Sequence, residues 1–389
     1  MAYLQGHTAT PAPAVRLGLI GAGWIGAFHA ESVALRLPGA VLEAIADPAI
    51  DAASALAARL GVAKVSADPA DLFADPDLDG VIIASPARFH STLISQAAKA
   101  GKHVFCEKPA GLSLEELDAA LADVAAAGVQ FQVGFNRRYA EDFLAAKADI
   151  DAGVVGTPQL LRSLTRDPGT GSIQGAAKTP PWTVFLETLI HDFDTLNWFN
   201  SGAEPVNVYA VADALVEPGF KDQGFLDTAV VTVKYSNGAV AVAEANFSAL
   251  YGYDIRGEVF GSKGMVQAGR STETAARRYT AGGLSANTPR LNVELFKQAY
   301  TDELADFAAT IAGLRNPADG AAASGSGGAG ASVTPGGADA RRALAVALAC
   351  IESVTTGQPA AVARPAAVAR PAAVARPAAV EPSHNAAGA

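Results

Sequence analysis

Between residues 15 and 135 short apolar runs alternate with amphipathic stretches. The runs VRLGLIG, VLEAIAD, GVIIASP, HVFCEKP and VQFQVGF have the length and composition of buried strands. The stretches 50–60, 88–100 and 113–127 repeat their apolar positions at helical spacing, and the last opens with Ser113 and Glu116 placed as a capping box. Strands that alternate with such helices predict βαβ units and a parallel, doubly wound sheet, an α/β architecture.

After residue 150 the rhythm changes. PQLLRSLTR, VNVYAVADALV, DTAVVTVKYSNGAVAVAEANFS and IRGEVFGSKGMVQAG read as longer strands, with Asn237-Gly238 marking a type I′ hairpin. Helices are predicted over 184–199, from about Val293 to Leu314, and over DARRALAVALACIESV. The sum is a C-terminal α+β domain on a large, open, mainly antiparallel sheet. Residues 317–338 are rich in Gly, Ser and Ala and read as a flexible loop, while the end of the chain repeats AAVARP too few times for a solenoid. The chain thus divides into a flexible arm over 1–14, a doubly wound domain over 15–136, an α+β domain over 137–358 and a low-complexity tail over 359–389.

A length of 389 residues fits two domains, and 50% hydrophobic against 17% charged residues fits a packed globular protein. The formal charge of −10 argues against nucleic-acid or anionic-membrane partners, which would be repelled. No transmembrane run and no signal-peptide pattern is present. Cys106 and Cys350 lie in apolar runs, which suits buried free thiols in a reducing compartment, so a cytoplasmic location is expected.

The first strand runs into GLIGAGWIGAFH. Gly21 permits the tight turn, Gly23 lets backbone approach a pyrophosphate, and Gly26 lets the helix pack against the strand. Trp24 and Ile25 open that helix, whose N-terminus offers free N–H groups and a positive dipole end to phosphates. Asp47 ends the second strand about 20 residues on, where a carboxylate accepts from ribose hydroxyls and repels a 2′-phosphate. NAD is therefore expected over NADP.

In VFLETLIHDFDTLNWF (184–199) the apolar residues Leu186, Leu189, Ile190, Phe193 and Leu196 define one buried helical face. Glu187, His191 and Asp194 stand at i, i+4 and i+7 on another stripe. By themselves they are compatible with a metal site, an acid/base site or a solvated face. No CxxC, HxH or HExxH pattern completes a ligand set, so no metal is expected.

ASPARFH (84–90), HVFCEKP (103–109) and GFNRRY (134–139), following the glycine turn, resemble the Gfo/Idh/MocA oxidoreductases, relatives of glucose–fructose oxidoreductase and inositol 2-dehydrogenase. The resemblance spans 14–316 and 338–360, with Glu-Lys-Pro its most specific element. It implies an N-terminal Rossmann domain that binds a nicotinamide cofactor, and a second domain for substrate and oligomerisation. It adds Ser85, Pro86, His90, Glu107 and Lys108 as cofactor contacts, points Lys108 into the cleft, and makes Lys108–Pro109 a candidate cis peptide. The family histidine maps to His191 through IHDFD. Where the family usually has Asp, four residues earlier, this chain has Glu187, and KTPPWTVF replaces a Gly-Gly pair upstream. Face-to-face pairing of open sheets, common in the family, implies a homodimer or homotetramer.

Oxidising a secondary alcohol requires a base for the hydroxyl proton, a role suited to a neutral imidazole such as His191. Lys108 can stabilise the developing alkoxide as a point charge, and Glu187 can fix the His191 tautomer or bind a neighbouring hydroxyl. Arg137, Arg166, Lys178, Trp182 and Asp192 are the candidate substrate contacts. The leading expectation is an NAD-dependent dehydrogenase of a cyclic polyol or sugar, to which the inositol-dehydrogenase-like RDP at 166–168 adds support. The altered KTPPWTVFLE loop keeps open an alternative, a glycoside hydrolase that oxidises transiently, eliminates, adds water and re-reduces. A non-catalytic nucleotide-binding regulator fits less well, because Lys108 and His191 are both present.

Overall fold

The computed structural model describes residues 14–169, 179–274, 276–315 and 333–364. The N-terminal arm up to residue 13, Lys178, most of the Gly/Ser-rich loop and the last AAVARP repeats lie outside them.

The first sheet has the order β3-β2-β1-β4-β5-β6 and is parallel throughout. Its strands are β1 (Val15–Ile20), β2 (Ala40–Ala46), β3 (Lys64–Ser66), β4 (Gly80–Ile83), β5 (His103–Cys106) and β6 (Phe131–Val133). The sequence pattern foresees five of these. It misses β3, an edge strand of three residues, too short to show a period. The crossovers are α1 (Trp24–Arg36), α2 (Ile50–Leu60), α3 (Pro69–Ala74), α4 (His90–Lys99) and α5 (Leu114–Ala127). The Ser113 hydroxyl accepts from the Glu116 N–H, the N-cap half of the expected capping box, and Gly128 closes α5 with φ 66°. The strand order reverses between β1 and β4, which opens a crevice at their carboxyl ends.

Past α6 (Glu141–Asp151) a second sheet takes the order β12-β11-β7-β10-β9-β8-β15, the last a two-residue edge strand, Ala360–Ala361. It contains β7 (Pro158–Arg166), β8 (Pro205–Asp213), β9 (Thr228–Tyr235), β10 (Val240–Asn246), β11 (Asp254–Gly261) and β12 (Met265–Ala268). β9 and β10 form the hairpin expected at Asn237-Gly238, with Gly238 at φ 94°. One pair departs from the antiparallel expectation: β10 lies parallel to β7. The intervening chain includes a helix, α7 (Leu189–Phe199), and two strands, ample for the crossover that a parallel pair needs. A separate exposed ribbon pairs β13 (Arg278–Thr280) with β14 (Gly283–Ser285).

Two segments fall elsewhere than the sequence suggests. After the short α8 (Asn292–Leu295), helix α9 (Lys297–Arg315) packs on the first sheet, not the second. Its Leu304, Phe307, Ala308 and Ile311, at helical spacing, share a core with Val15, Leu17, Leu19 and Phe105. The expected tail also starts too early. Following α10 (Gly337–Thr356), residues Ala360–Ala361 form β15 on the edge of β8, with Ala360 and Val362 buried. Among the described residues no helix is long and apolar enough to cross a membrane.

Helix α7 lies between the second sheet and α10 and is buried along nearly its whole circumference. Its acids are therefore paired. The Arg138 guanidinium donates through Nε to Asp194 Oδ2 at 2.9 Å and through Nη2 to Oδ1 at 2.5 Å, and a second contact reaches Asp339 on α10. Removing one partner of a buried pair strands the other charge. Arg138→Ala is expected to lower the unfolding free energy by about 3–5 kcal/mol. Arg162→Ala, which removes a half-exposed partner of Glu244, is expected to cost about 1 kcal/mol or less. Urea unfolding followed by circular dichroism measures both, and equal costs would contradict this account of the core.

Candidate active site

The crevice at the carboxyl ends of β1 and β4 opens into a cavity of about 940 Å³. Gly21, Gly23, Trp24, Ile25, Asp47, Ser85, Pro86, His90, Glu107 and Lys108 all line it. Gly26 lies beneath instead, and a Cβ there would come within 1.9 Å of the Gly21 carbonyl oxygen. Gly21 adopts φ 101°, and a Cβ there would come within 2.7 Å of the Ala84 backbone. A Cβ on Gly23 would meet no protein atom within 4 Å, so its smallness serves the cavity and not the fold. Asp47 accepts from the Ala22 and Ala49 N–H groups, both at 2.7 Å, which pins the carboxylate beside the glycine turn.

His90 acts as a brace within this wall. Its buried ring lies between the carbonyl oxygens of Pro109 and Ser85, each 2.7 Å from a ring nitrogen. It thereby ties together the loops after β4 and β5. The Lys108–Pro109 peptide is cis.

A second, smaller cavity of about 190 Å³ adjoins the first and shares Lys108, Glu187, Asn292 and Tyr300 with it. His191 and Arg137 also line it. Lys108 Nζ donates to the Glu187 backbone carbonyl at 3.1 Å and to its Oε2 at 3.3 Å. The His191 Nδ1 is buried without a protein partner, and the ring lines this cavity. Burial, and then the positive charges of Lys108 and Arg137, push the His191 pKa well below the ordinary histidine range. Its imidazole is therefore neutral near pH 7.

The expected stripe of Glu187, His191 and Asp194 does not form. Val184–Thr188 make a π-helical turn before α7, with Leu189 N–H bonded to the Val184 carbonyl. Pro180 and Pro181 have no N–H to extend a helix upstream, and Trp182 enters the turn at φ 63°. The extra residue in the turn rotates Glu187 toward Lys108. Asp194 meanwhile faces Arg138, so the three side chains do not converge.

The candidate substrate contacts separate in the same way. Arg137 reaches the cavity, but its guanidinium is fixed from below by Asp192 at 2.9 Å and by the Thr165 hydroxyl at 2.7 Å. Asp192 is fully buried and also accepts from Ser163 and Thr165, so it is a counter-ion and not a cavity group. Arg166 pairs with Glu244 at 2.7 Å, and Trp182 stacks on Phe185; neither lines either cavity. Lys178 lies outside the described residues. The cavity instead gains Asn136, Thr165, Asp167, Tyr253, Asn292 and Tyr300. The Tyr253 hydroxyl donates to Asp167 Oδ2 at 2.7 Å, and burial, followed by that carboxylate, pushes the phenol pKa up. Asp167 follows β7 and Tyr253 precedes β11, neighbouring strands, so only the strand pairing brings them together.

Residues 15–135 match the oxidoreductase family with an NAD-binding Rossmann fold, and residues 143–267 match the GFO/IDH/MocA C-terminal domain. The oxidoreductase YrbE of Bacillus subtilis is 39% identical over 295 residues, 76% of this chain and 85% of that protein. The myo-inositol 2-dehydrogenase of Thermotoga maritima is 35% identical over 305 residues, 78% of this chain and 90% of that protein. Scyllo-inositol dehydrogenase of Lactobacillus casei, crystallised with NAD(H) and scyllo-inositol, superposes with a TM-score of 0.81 at 27% identity, covering 90% of this chain and 99% of that one.

The second and third glycines of the turn, Gly23 and Gly26, are expected to part company on substitution. Gly23→Ala is expected to weaken NAD binding by about tenfold or more while moving the melting temperature by only about 3 °C. Gly26→Ala, with its clash inside the protein, is expected to lower the melting temperature by about 10 °C. Titration calorimetry and thermal unfolding read the two effects, and full NAD affinity in Gly23→Ala would remove the cofactor from this turn.

Proposed function

The chain belongs to the GFO/IDH/MocA family of oxidoreductases, built on an NAD-binding Rossmann fold, and on that premise we propose that it is an NAD-dependent dehydrogenase of an inositol-like cyclic polyol or sugar. The observation that carries this reading is the meeting of Lys108 and the neutral His191 in one small cavity that opens on the cofactor crevice. The inositol dehydrogenases among its relatives support the substrate class.

In this reading the substrate ring occupies the small cavity with one hydroxyl between Lys108 Nζ and His191 Nε2. NAD, when bound, supplies the hydride acceptor. His191 takes the hydroxyl proton, which its depressed pKa leaves it free to do near pH 7. Lys108 holds the oxygen as negative charge develops on it, and its ammonium is aimed by the two Glu187 oxygens. The Asp167–Tyr253 pair and Asn292 offer acceptors and donors to the remaining ring hydroxyls.

Lys108→Ala and His191→Ala are each expected to lower kcat by about 10²- to 10⁴-fold, followed as NADH absorbance with a panel of inositols and sugars. In the wild type the base is lost only when pH falls through the depressed His191 pKa. The acid limb of kcat/KM is therefore expected below the ordinary histidine range. Free aglycone from glycosides without net NADH would replace this reading with redox-neutral glycoside cleavage.

We further propose a homo-oligomer that pairs through the open face of the second sheet. Val211, Val230, Phe260 and Met265 are exposed there, apolar surface that burial would favour. Val230→Glu combined with Phe260→Glu is expected to reduce the oligomer to monomer in light scattering. An unchanged mass would place the interface elsewhere.

A further inference from the structure

Behind the Glu-Lys-Pro loop, bordering the large cavity through Glu107 and Tyr300, lies a polar cluster inside an apolar core. His29 of α1 and Glu303 of α9 are fully buried, Glu107 nearly so, and their ligating atoms lie within 4.8 Å of one another. Phe105 and Tyr300 rings flank His29 at 5.5 and 5.9 Å. The two carboxyl groups are unequally served. Glu107 accepts from His29 Nε2 at 2.7 Å and from the Lys108 backbone N–H at 3.1 Å, and the Lys108 charge is nearby. Neither oxygen of Glu303 has a protein hydrogen-bond partner among the described residues. Two carboxylates this close in a buried site disfavour double ionisation, and the proton goes to the one with the fewest donors. A divalent cation fits the site less well, because the short His29–Glu107 bond already occupies the ligand atoms it would need.

We propose that Glu303 is a neutral carboxylic acid in the native protein and a positioning residue for the reaction. Uncharged, it leaves Glu107 ionised and bonded to the Lys108 N–H, and so holds Lys108 toward the small cavity. Ionised, it repels Glu107 and loosens that hold. The groups facing Glu303 are Glu107, His29 and Tyr300, with Tyr139 from the turn after β6 and Lys108 beyond Glu107. Burial, then the Glu107 charge, pushes the Glu303 pKa well above the ordinary glutamate range.

Only the kinetic arm of the test rests on the function proposed above; two arms need no substrate. Wild type is expected to show an infrared band of a protonated carboxyl that Glu303→Gln removes. The native protein holds its Glu303 proton at pH values where the unfolded chain has released it. Native stability must then fall as pH rises above the ordinary glutamate range, by a slope of about one proton that Glu303→Gln abolishes. In turnover, wild-type kcat is expected to fall in an alkaline limb with KM little changed, and Glu303→Gln, neutral at every pH, is expected to shift that limb upward. Absence of the band, identical stability slopes, or a stoichiometric metal ion in the purified protein would each overturn the assignment. A present band and slope with no turnover on any polyol would leave Glu303 protonated and overturn the substrate reading alone.

Discussion

The position of one ammonium group governs the rest of the site. Lys108 stands at the junction of the two cavities and is held there by the carbonyl and carboxylate of Glu187. A lysine on its four-carbon stem carries roughly 2 kcal/mol of rotamer entropy, so an unheld Lys108 would spend little time in one place. The pair is partly open to water, with side-chain exposures of 18% and 36%, and such pairs add little stability, at most about 1 kcal/mol. Its contribution is geometric. It joins the loop after β5 to the start of α7, and so joins the large crevice to the small cavity.

Much of that arrangement is legible in the residues, because the signals are local. The glycine turn, the Asp47 at the end of β2, the Ser113 cap and the Asn237-Gly238 hairpin each follow from a few adjacent residues with a steric or hydrogen-bonding demand. The Glu-Lys-Pro motif and IHDFD locate Lys108 and His191 by resemblance. What escapes is non-local. Asp167 and Tyr253 meet only through the β7–β11 register, 86 residues apart in sequence. The parallel β7–β10 pair and the return of α9 to the first sheet depend on which apolar face finds which partner, and periodicity does not name partners. The π-helical turn escapes for another reason: its apolar residues still look helical, and only the Pro-Pro-Trp entry hints at a changed register.

That register matters for charge as well as shape. Arg137 and Arg138 are adjacent, yet they meet Asp192 and Asp194 from opposite sides of α7. An exposed-face reading of those acids is natural from sequence, since buried carboxylates are rare unless paired. Here each is paired, so both arginines are anchored on α7 by a carboxylate. Lys108 is left with a partly wet carboxylate, beside an imidazole that burial keeps neutral. The proposed chemistry needs that contrast: a fixed cation to receive negative charge, and next to it a base free to take a proton.

Glu187 then links shape to selectivity. An aspartate at this position would be shorter by one methylene and could not reach as far toward Lys108 from the same backbone. The π-helical turn supplies a second route, because the Glu187 carbonyl, otherwise committed to a helical ladder, is free to accept from Lys108. Lys108 is therefore aimed by backbone and side chain together, and a change of side chain alone leaves half of the hold in place. In a cavity of about 190 Å³ the Glu187 carboxylate also occupies wall that a ring hydroxyl would otherwise touch. Sites built from buried polar groups discriminate strongly, because a hydroxyl of the wrong orientation leaves a donor or acceptor unpaired. On the proposed mechanism, the choice among ring hydroxyls thus falls to Glu187 on one side and the Asp167–Tyr253 pair on the other, with Lys108 and His191 common to all of them.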